Sequence, residues 1–359
     1  MGSRKILIQQ VIIPDYRVGI FALLKKYYGD DLRLFAGEVD FGGSPKSSHK
    51  AWDLSKNIRN YFLCFNNLLI QPEIIWPAIK ADVVILNANI RIISNIAILI
   101  FRRILNKKTI LWGHAYGKKF KKSIFKRIYF LLANQFISYT DKQALYLKKN
   151  YPFLVISSAP NACMFKNECA PLNPKNKEAC TILYVGRLIL RKKVDLLIKA
   201  FESAREGGLL PSNTSLVIVG DGDARRQLEE LKAINKYKDD IVFKGHINNL
   251  DSLRELYADA LCAVSPGYVG LSATQSFGLG IPMLIADNEP HSPEIEACSE
   301  NFNTLFFKTD SVSDLAKQLG EFYKQRELFL SRRNEISKNT KMLYTFESMR
   351  DVFIKVIES

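Results

Sequence analysis

The stretch Thr181-Ile182-Leu183-Tyr184-Val185-Gly186-Arg187-Leu188 runs through Ile189-Leu190-Arg191-Lys192-Lys193 into Val194-Asp195-Leu196-Leu197-Ile198-Lys199-Ala200-Phe201. An apolar run stops at a glycine, a cationic loop follows, and the next residues are apolar at helical spacing. That order is a strand, a turn and a crossover helix, the repeating unit of a parallel sheet. Downstream the alternation continues, with strands expected at Ser215–Val219, Ile241–Lys244, Leu261–Val264, Met283–Ala286 and Leu305–Phe307. Upstream, strands are expected at Lys5–Ile12, Leu32–Phe35, Val83–Asn87, Thr109–Trp112, Gln135–Ser138 and Val155–Ile156. Residues 166–179, polar with two prolines, read as the linker between the two series. The fold class is therefore α/β: two doubly wound domains, 1–165 and 180–344, facing a cleft. Ligands are expected outside the carboxyl ends of the strands.

Composition narrows the function. With 47% hydrophobic and 24% charged residues the chain is neither disordered nor a coiled coil. The net charge of +15 asks for an anionic partner, and it is unevenly spread. Residues 1–170 carry 26 Lys and Arg against 10 Asp and Glu, and the remainder carries 25 against 26. The densest run is Lys118, Lys119, Lys121, Lys122, Lys126 and Arg127, threaded with Phe120, Ile124, Phe125 and Ile128. At helical spacing this sets a basic stripe beside an apolar one, suited to an anionic membrane surface. The plainer alternative is a packed helix with a lysine-rich outer face. Nucleic acid is not an expected partner, because no zinc finger, helix-turn-helix or RNP pattern accompanies the charge.

The apolar stretch Ile92 to Leu105 is broken by Ser94, Asn95, Arg102 and Arg103, short of the ~18–20 residues of a membrane span, and reads as a core helix. No signal peptide is visible at Met1 to Leu7, so a cytoplasmic protein is expected. Cys64, Cys163, Cys169, Cys180, Cys262 and Cys298 form no Cys-x-x-Cys pair and read as reduced thiols. His49, His114, His246 and His291 are scattered, and no metal site is expected.

Two loops carry candidate chemistry. After Gly186, the cations Arg187 and Lys192 stand where a sheet edge can clamp a diphosphate, the alternative being a solvated basic loop. Later, Ser265-Pro266-Gly267-Tyr268-Val269-Gly270-Leu271 leads into Ser272-Ala273-Thr274-Gln275. Its glycines allow close backbone approach, and Ser272 is expected to cap a short helix that favours a phosphate. Gly220-Asp221-Gly222 reads only as a strand-to-helix turn. Near the start, Asp15-Tyr16-Arg17 follows the first strand; Arg17 is the candidate acceptor-binding residue, able to meet a phosphate of the acceptor or donor there, the alternative being a salt bridge to Asp15 or a neighbour.

Residues 180–325 resemble the donor-nucleotide domain of the GT-B glycosyltransferases, in particular the retaining group called family 4. The likeness rests on Gly186-Arg187-Leu188 with Lys192, Val219-Gly220-Asp221-Gly222, Phe243-Lys244-Gly245-His246-Ile247, Leu256-Tyr257-Ala258-Asp259-Ala260, Gly280-Ile281-Pro282 and Pro293-Glu294-Ile295. It implies that Arg187 and Lys192 bind the donor diphosphate. By the same likeness Ile247 touches the base through its backbone, and the backbone of Gly270 and Leu271 meets phosphate and sugar. The family's paired glutamates align with Gly267 and Gln275, so both carboxylates are absent. Gln275 retains hydrogen-bonding capacity toward a ribose.

Trp112-Gly113-His114 stands where family members carry a histidine facing the sugar, which makes His114 the candidate catalytic residue; a strand-end histidine is the alternative. The resemblance further implies a nucleotide-diphosphate sugar substrate (UDP-, GDP- or dTDP-linked), no cofactor, and a final helix, 345–359, crossing back to the first domain. The acceptor is expected to be a lipid-linked glycan or oligosaccharide of bacterial surface polysaccharide, such as lipopolysaccharide. The protein would then sit peripherally at the cytoplasmic face of the inner membrane. Rival readings are an inverting GT-B transferase and a non-catalytic GT-B partner subunit.

Overall fold

The computed structural model describes residues 4–42, 46–114, 124–174 and 180–359. The chain divides into two compact units: Met1–Cys163 with Tyr344–Ser359, and Met164–Leu343.

Unit 1 contains β1 (Ile6–Gln10), α1 (Asp15–Tyr28), β2 (Leu32–Ala36), β3 (Lys56–Asn57), β4 (Tyr61–Leu63), β5 (Leu68–Ile70), α2 (Ile75–Lys80) and β6 (Val83–Asn87). It continues with α3 (Ile93–Ile104), β7 (Lys108–Gly113), α4 (Ile124–Leu131), β8 (Gln135–Ser138), α5 (Asp141–Asn150) and β9 (Val155–Ser158). The sheet order is β3-β2-β1-β6-β7-β8-β9, with every pairing parallel. Its central strands, such as β1 and β6, are buried on both faces, as crossover helices require, which is why they read as largely apolar runs. The short antiparallel hairpin β4–β5 has no counterpart among the sequence expectations.

Unit 2 contains β10 (Cys180–Val185), α6 (Val194–Glu206), β11 (Thr214–Val219), α7 (Arg225–Ala233), β12 (Ile241–Gly245), α8 (Leu250–Ala258) and β13 (Ala260–Ser265). There follow α9 (Ser272–Gly278), β14 (Met283–Ala286), β15 (Thr304–Phe307), α10 (Val312–Lys324) and α11 (Arg326–Leu343). Its parallel sheet has the order β12-β11-β10-β13-β14-β15. In each sheet the direction of strand addition reverses beside the first strand, β1 or β10, the point at which open α/β sheets generally bind ligands.

The final helix, α12 (Phe346–Glu358), belongs to unit 1. Gly19 of α1 makes the close approach possible, since a Cβ there would fall 2.4 Å from the Phe346 ring. Phe353 stands edge-on to Trp112 with centroids 4.9 Å apart, and Lys108 Nζ donates to the Val356 carbonyl at 2.7 Å.

The segment expected as a linker, as far as Pro174, packs onto unit 2. The Leu172 amide donates to the Leu279 carbonyl (3.0 Å), Arg333 donates to the Leu172 carbonyl (2.7 Å) and Arg254 to the Glu168 carbonyl (2.6 Å). Polar composition hid this, because the partners are arginines far later in the chain.

Helix α3 packs on the core through Ile98 and Leu99, as a core helix should, but its other positions are less expected. Its polar Ser94, Asn95 and Arg102 are buried, while Phe101 is 51% and Ile104 74% exposed. Arg102 donates to the carbonyls of Ala78, Ala81, Asp82 and Lys108 and to Thr109 Oγ1, satisfying its guanidinium inside the protein. Cys64 is exposed at the hairpin turn, and all six cysteines are free thiols.

Candidate functional site

The carboxyl edge of β10 is built by close backbone contacts. Gly220, at φ +143°, lies so near the Gly186 carbonyl oxygen that a Cβ would come within 1.8 Å of it, so only glycine fits. The Leu188 amide donates to the Asp221 carbonyl (2.9 Å), and the Ala224 amide donates to the Leu188 carbonyl (2.9 Å). The Gly-Asp-Gly turn therefore buttresses the Gly186-Arg187-Leu188 turn, a larger role than the strand-to-helix turn expected of it.

A short 3-10 turn, Leu190–Lys192, then carries the cations. Lys192 is buried; its Nζ donates to the Tyr268 carbonyl at 2.8 Å and lies 3.7 Å from the centre of the Tyr268 ring. Burial lowers its pKa to about 8, helped by the nearby Arg187 and Arg191 charges and opposed by Glu294. Arg191 lies over the same ring at 4.6 Å. Arg187 is exposed, and its guanidinium has no ion pair or hydrogen bond among the described residues. Lys193, by contrast, is neutralised by Glu289 and Asp310.

The facing loop, Pro266 to Leu271, is fixed from two sides. A Cβ on Gly267 would fall 2.3 Å from the Arg191 carbonyl oxygen, which seals that position against any side chain, a carboxylate included. On the other side the Val269 amide donates to His291 Nδ1 at 3.0 Å, while His291 Nε2 meets the Ala286 carbonyl at 2.9 Å. The Ser292 amide donates back to the Val269 carbonyl at 3.0 Å. Sequence reading set His291 aside as one of four scattered histidines; its place between two prolines, just past a strand end, is the signal that could have found it.

In unit 1 the matching edge gathers side chains from β1, α1, β7, β8 and α5. Arg17 donates to Gln10 Oε1 (2.8 Å) and to the Tyr139 hydroxyl (2.6 Å), with its guanidinium 4.7 Å from the centre of the Trp112 ring. Asp15 is not its partner, because Asp15 accepts from the Ser48 hydroxyl. His114 stands edge-on to Tyr139 at 4.8 Å, with Nδ1 3.4 Å from Gln143 Nε2. Although His114 keeps an exposed edge, the protein crowding its ring, and after it the Arg17 charge, push its pKa down to about 4. Arg17 and His114 thus share Tyr139 as a neighbour.

Residues 166–342, just under half of the chain, match the sequence family described as "Glycosyl transferases group 1". The match spans nearly the whole of unit 2, which is similar to a group 1 glycosyl transferase domain. An uncharacterized glycosyltransferase of Methanocaldococcus jannaschii is 34% identical over 108 residues, covering 29% of this chain and 26% of that protein. The chain thus spans about a quarter of that relative. Over the whole chain the architecture is similar to HepE of Anabaena, solved with UDP (TM-score 0.72, 12% identity, 99% of each chain). It is also similar to the lipopolysaccharide outer core galactosyltransferase WaaB (TM-score 0.67, 13% identity, 99% of each chain). These likenesses show the fold, two Rossmann-like domains of GT-B type.

Within the group 1 domain the structure brings together Arg187, Lys192, Gly267, Tyr268 and Val269, while Gly270 and Leu271 continue the same loop into α9. Gln275 is half-buried on α9, and its side-chain amide has no hydrogen-bond partner among the described residues. Ser272 is not the cap: it is the first residue of the helix, Leu271 holds the cap position, and no side chain caps it. Ile247 follows the edge strand β12, two strands from β10 in the sheet.

Of the basic stripe, Lys118, Lys119, Lys121 and Lys122 lie outside the described residues. Lys126 and Arg127 are on α4, whose Ile124, Phe125, Ile128 and Leu131 are exposed. No helix among the described residues is long and apolar enough to cross a membrane.

Proposed function

We propose that the chain is a retaining glycosyltransferase that moves a sugar from a nucleoside diphosphate to a lipid-linked glycan acceptor of bacterial surface polysaccharide. The observation that carries this is Lys192. It is a buried cation held by a carbonyl and an aromatic face, next to the unpaired Arg187, at the reversal point of a group 1 domain. HepE, the similarly folded protein bound to UDP, adds a nucleoside diphosphate as a ligand for this fold.

In the proposed reaction the bond from the anomeric carbon to the diphosphate oxygen breaks while the acceptor oxygen attacks from the same face. The acceptor's proton passes to a leaving phosphate oxygen. Arg187 and Lys192 stabilise the charge that builds on the diphosphate, and a water-poor setting strengthens that effect. Gln275 offers its amide to the ribose, and the Val269–Leu271 backbone lies against phosphate and sugar. His114, neutral across the physiological range, supplies a hydrogen bond to a sugar hydroxyl. Arg17 serves an anionic group of the acceptor. The absence of a carboxylate at Gly267 favours one rival, a non-catalytic partner subunit, and product formation separates the two.

Membrane docking rests on α3 and α4, which expose Phe101, Ile104, Ile124 and Phe125 beside Arg103, Lys126 and Arg127 and carry no acidic residue. An apolar strip edged with cations suits an anionic leaflet. In this reading the protein works at the cytoplasmic face of the inner membrane, where a lipid-borne acceptor is presented.

The test is a thermal-shift screen of UDP, GDP, dTDP and CMP, followed by assay of the matching nucleotide sugars. A native-state ligand raises the melting temperature. No shift with any nucleotide would sink the donor assignment, and an inverted anomeric product would sink retention.

A further inference from the structure

His291 holds two bonds that together fix its proton. Its Nδ1 accepts the Val269 amide at 3.0 Å, so that nitrogen carries a lone pair, and the proton must sit on Nε2, which donates to the Ala286 carbonyl at 2.9 Å. The imidazole therefore ties the end of β14 to the loop that crosses in front of Lys192. Val269 is fully buried and its carbonyl also accepts from the Ser292 amide. The next residue back, Tyr268, presents the carbonyl and the ring that hold Lys192.

We infer that His291 is a positioning residue: in its neutral Nε2–H form it latches the 266–271 loop, and through Tyr268 it sets where the Lys192 ammonium stands. This rests on reading the Arg187–Lys192 edge as the donor-phosphate site. A second proton on the ring would turn Nδ1 into a donor facing another donor, and the latch would open. Burial favours the neutral ring, and the Lys192 charge acts in the same direction. The Ala286 carbonyl and the Glu289 and Asp287 carboxylates pull the other way, leaving the pKa below its ordinary value.

The experiment uses the full chain as wild type, His291→Asn, His291→Gln and His291→Ala. Asparagine offers an acceptor near the Nδ1 position, whereas glutamine keeps only a donor toward Ala286. UDP is titrated by calorimetry at neutral pH and at about pH 5, alongside hydrogen exchange of the Val269 amide. The diphosphate's own protonation acts on all four proteins alike, so ratios between them are read. His291→Ala and His291→Gln should bind UDP about tenfold more weakly than wild type and lose Val269 protection, the scale of one missing hydrogen bond. His291→Asn should bind close to wild type at neutral pH and outperform it at the acid pH. Equal UDP affinity and equal Val269 protection in wild type, Gln and Ala variants would overturn the latch. Were wild type to bind no nucleotide, the donor reading falls and the exchange data alone decide, with unchanged Val269 protection in the variants overturning it.

Discussion

At Lys192 the protein keeps a cation from water and gives it a carbonyl and a π face, with no carboxylate in ion-pair range among the described residues. A diphosphate would be the first close counter-charge it meets. Lys192→Ala and Arg187→Ala are each expected to lower kcat by roughly 10²–10³, the cost of removing one preorganised transition-state donor, measured with the nucleotide sugar found in the screen. The sign of the pH effect follows from the depressed pKa: UDP affinity should fall as pH rises through about 8, and calorimetry across that range checks it. For His114 the consequence concerns folding and not a ligand. Its folded pKa, about 4 against 6.5, means that stability is complete above the ordinary histidine range and is lost as pH falls toward 4. Gly267→Glu would restore a carboxylate in the sequence but not in space; it should lower the melting temperature and abolish UDP binding. The pair Arg187 and Lys192 was legible because a glycine-ended strand and its cations are contiguous. The Tyr268 ring, 76 residues beyond Lys192, and the Tyr139 hydroxyl, 122 beyond Arg17, were not, because only tertiary folding brings them together.

Among the elements, the central parallel strands were legible because burial on both faces leaves largely apolar runs. Helix α3 was legible as a core helix, but the burial of its Arg102 was not: hydropathy ranks arginine as a surface residue, yet the carbonyl ends of several segments converge on this one and make burial tolerable. Arg102→Ala would strand those carbonyls and is expected to destabilise unit 1 by about 3 kcal/mol or more, read from denaturant midpoints. The exposed face of α3 should respond differently. Phe101→Asp with Ile104→Asp is expected to leave stability within about 0.5 kcal/mol, as surface changes do, while abolishing sedimentation with anionic vesicles. Retained sedimentation in that double variant would remove α3 from the docking face.

For the whole molecule, the surplus charge and the group 1 match fall on opposite parts of the chain: residues 1–170 carry the excess of cations, and 166–342 carry the match. Binding to anionic vesicles should accordingly weaken with salt, whereas nucleotide binding by the buried Lys192 should be screened far less. Unit 1 also has an unusual construction, since its Trp112 and Gly19 are covered by Phe353 and Phe346 of α12. Those parts enter the chain on either side of unit 2, so the order of synthesis is not the order of completion. Unit 2 has all its residues once Leu343 has been made, while residues 1–163 must wait with an apolar helix face and an indole uncovered. A nascent chain arrested just after unit 2 emerges should therefore resist protease over 164–343 and remain cleavable upstream. The N-terminal unit, first to be translated, is the last to close.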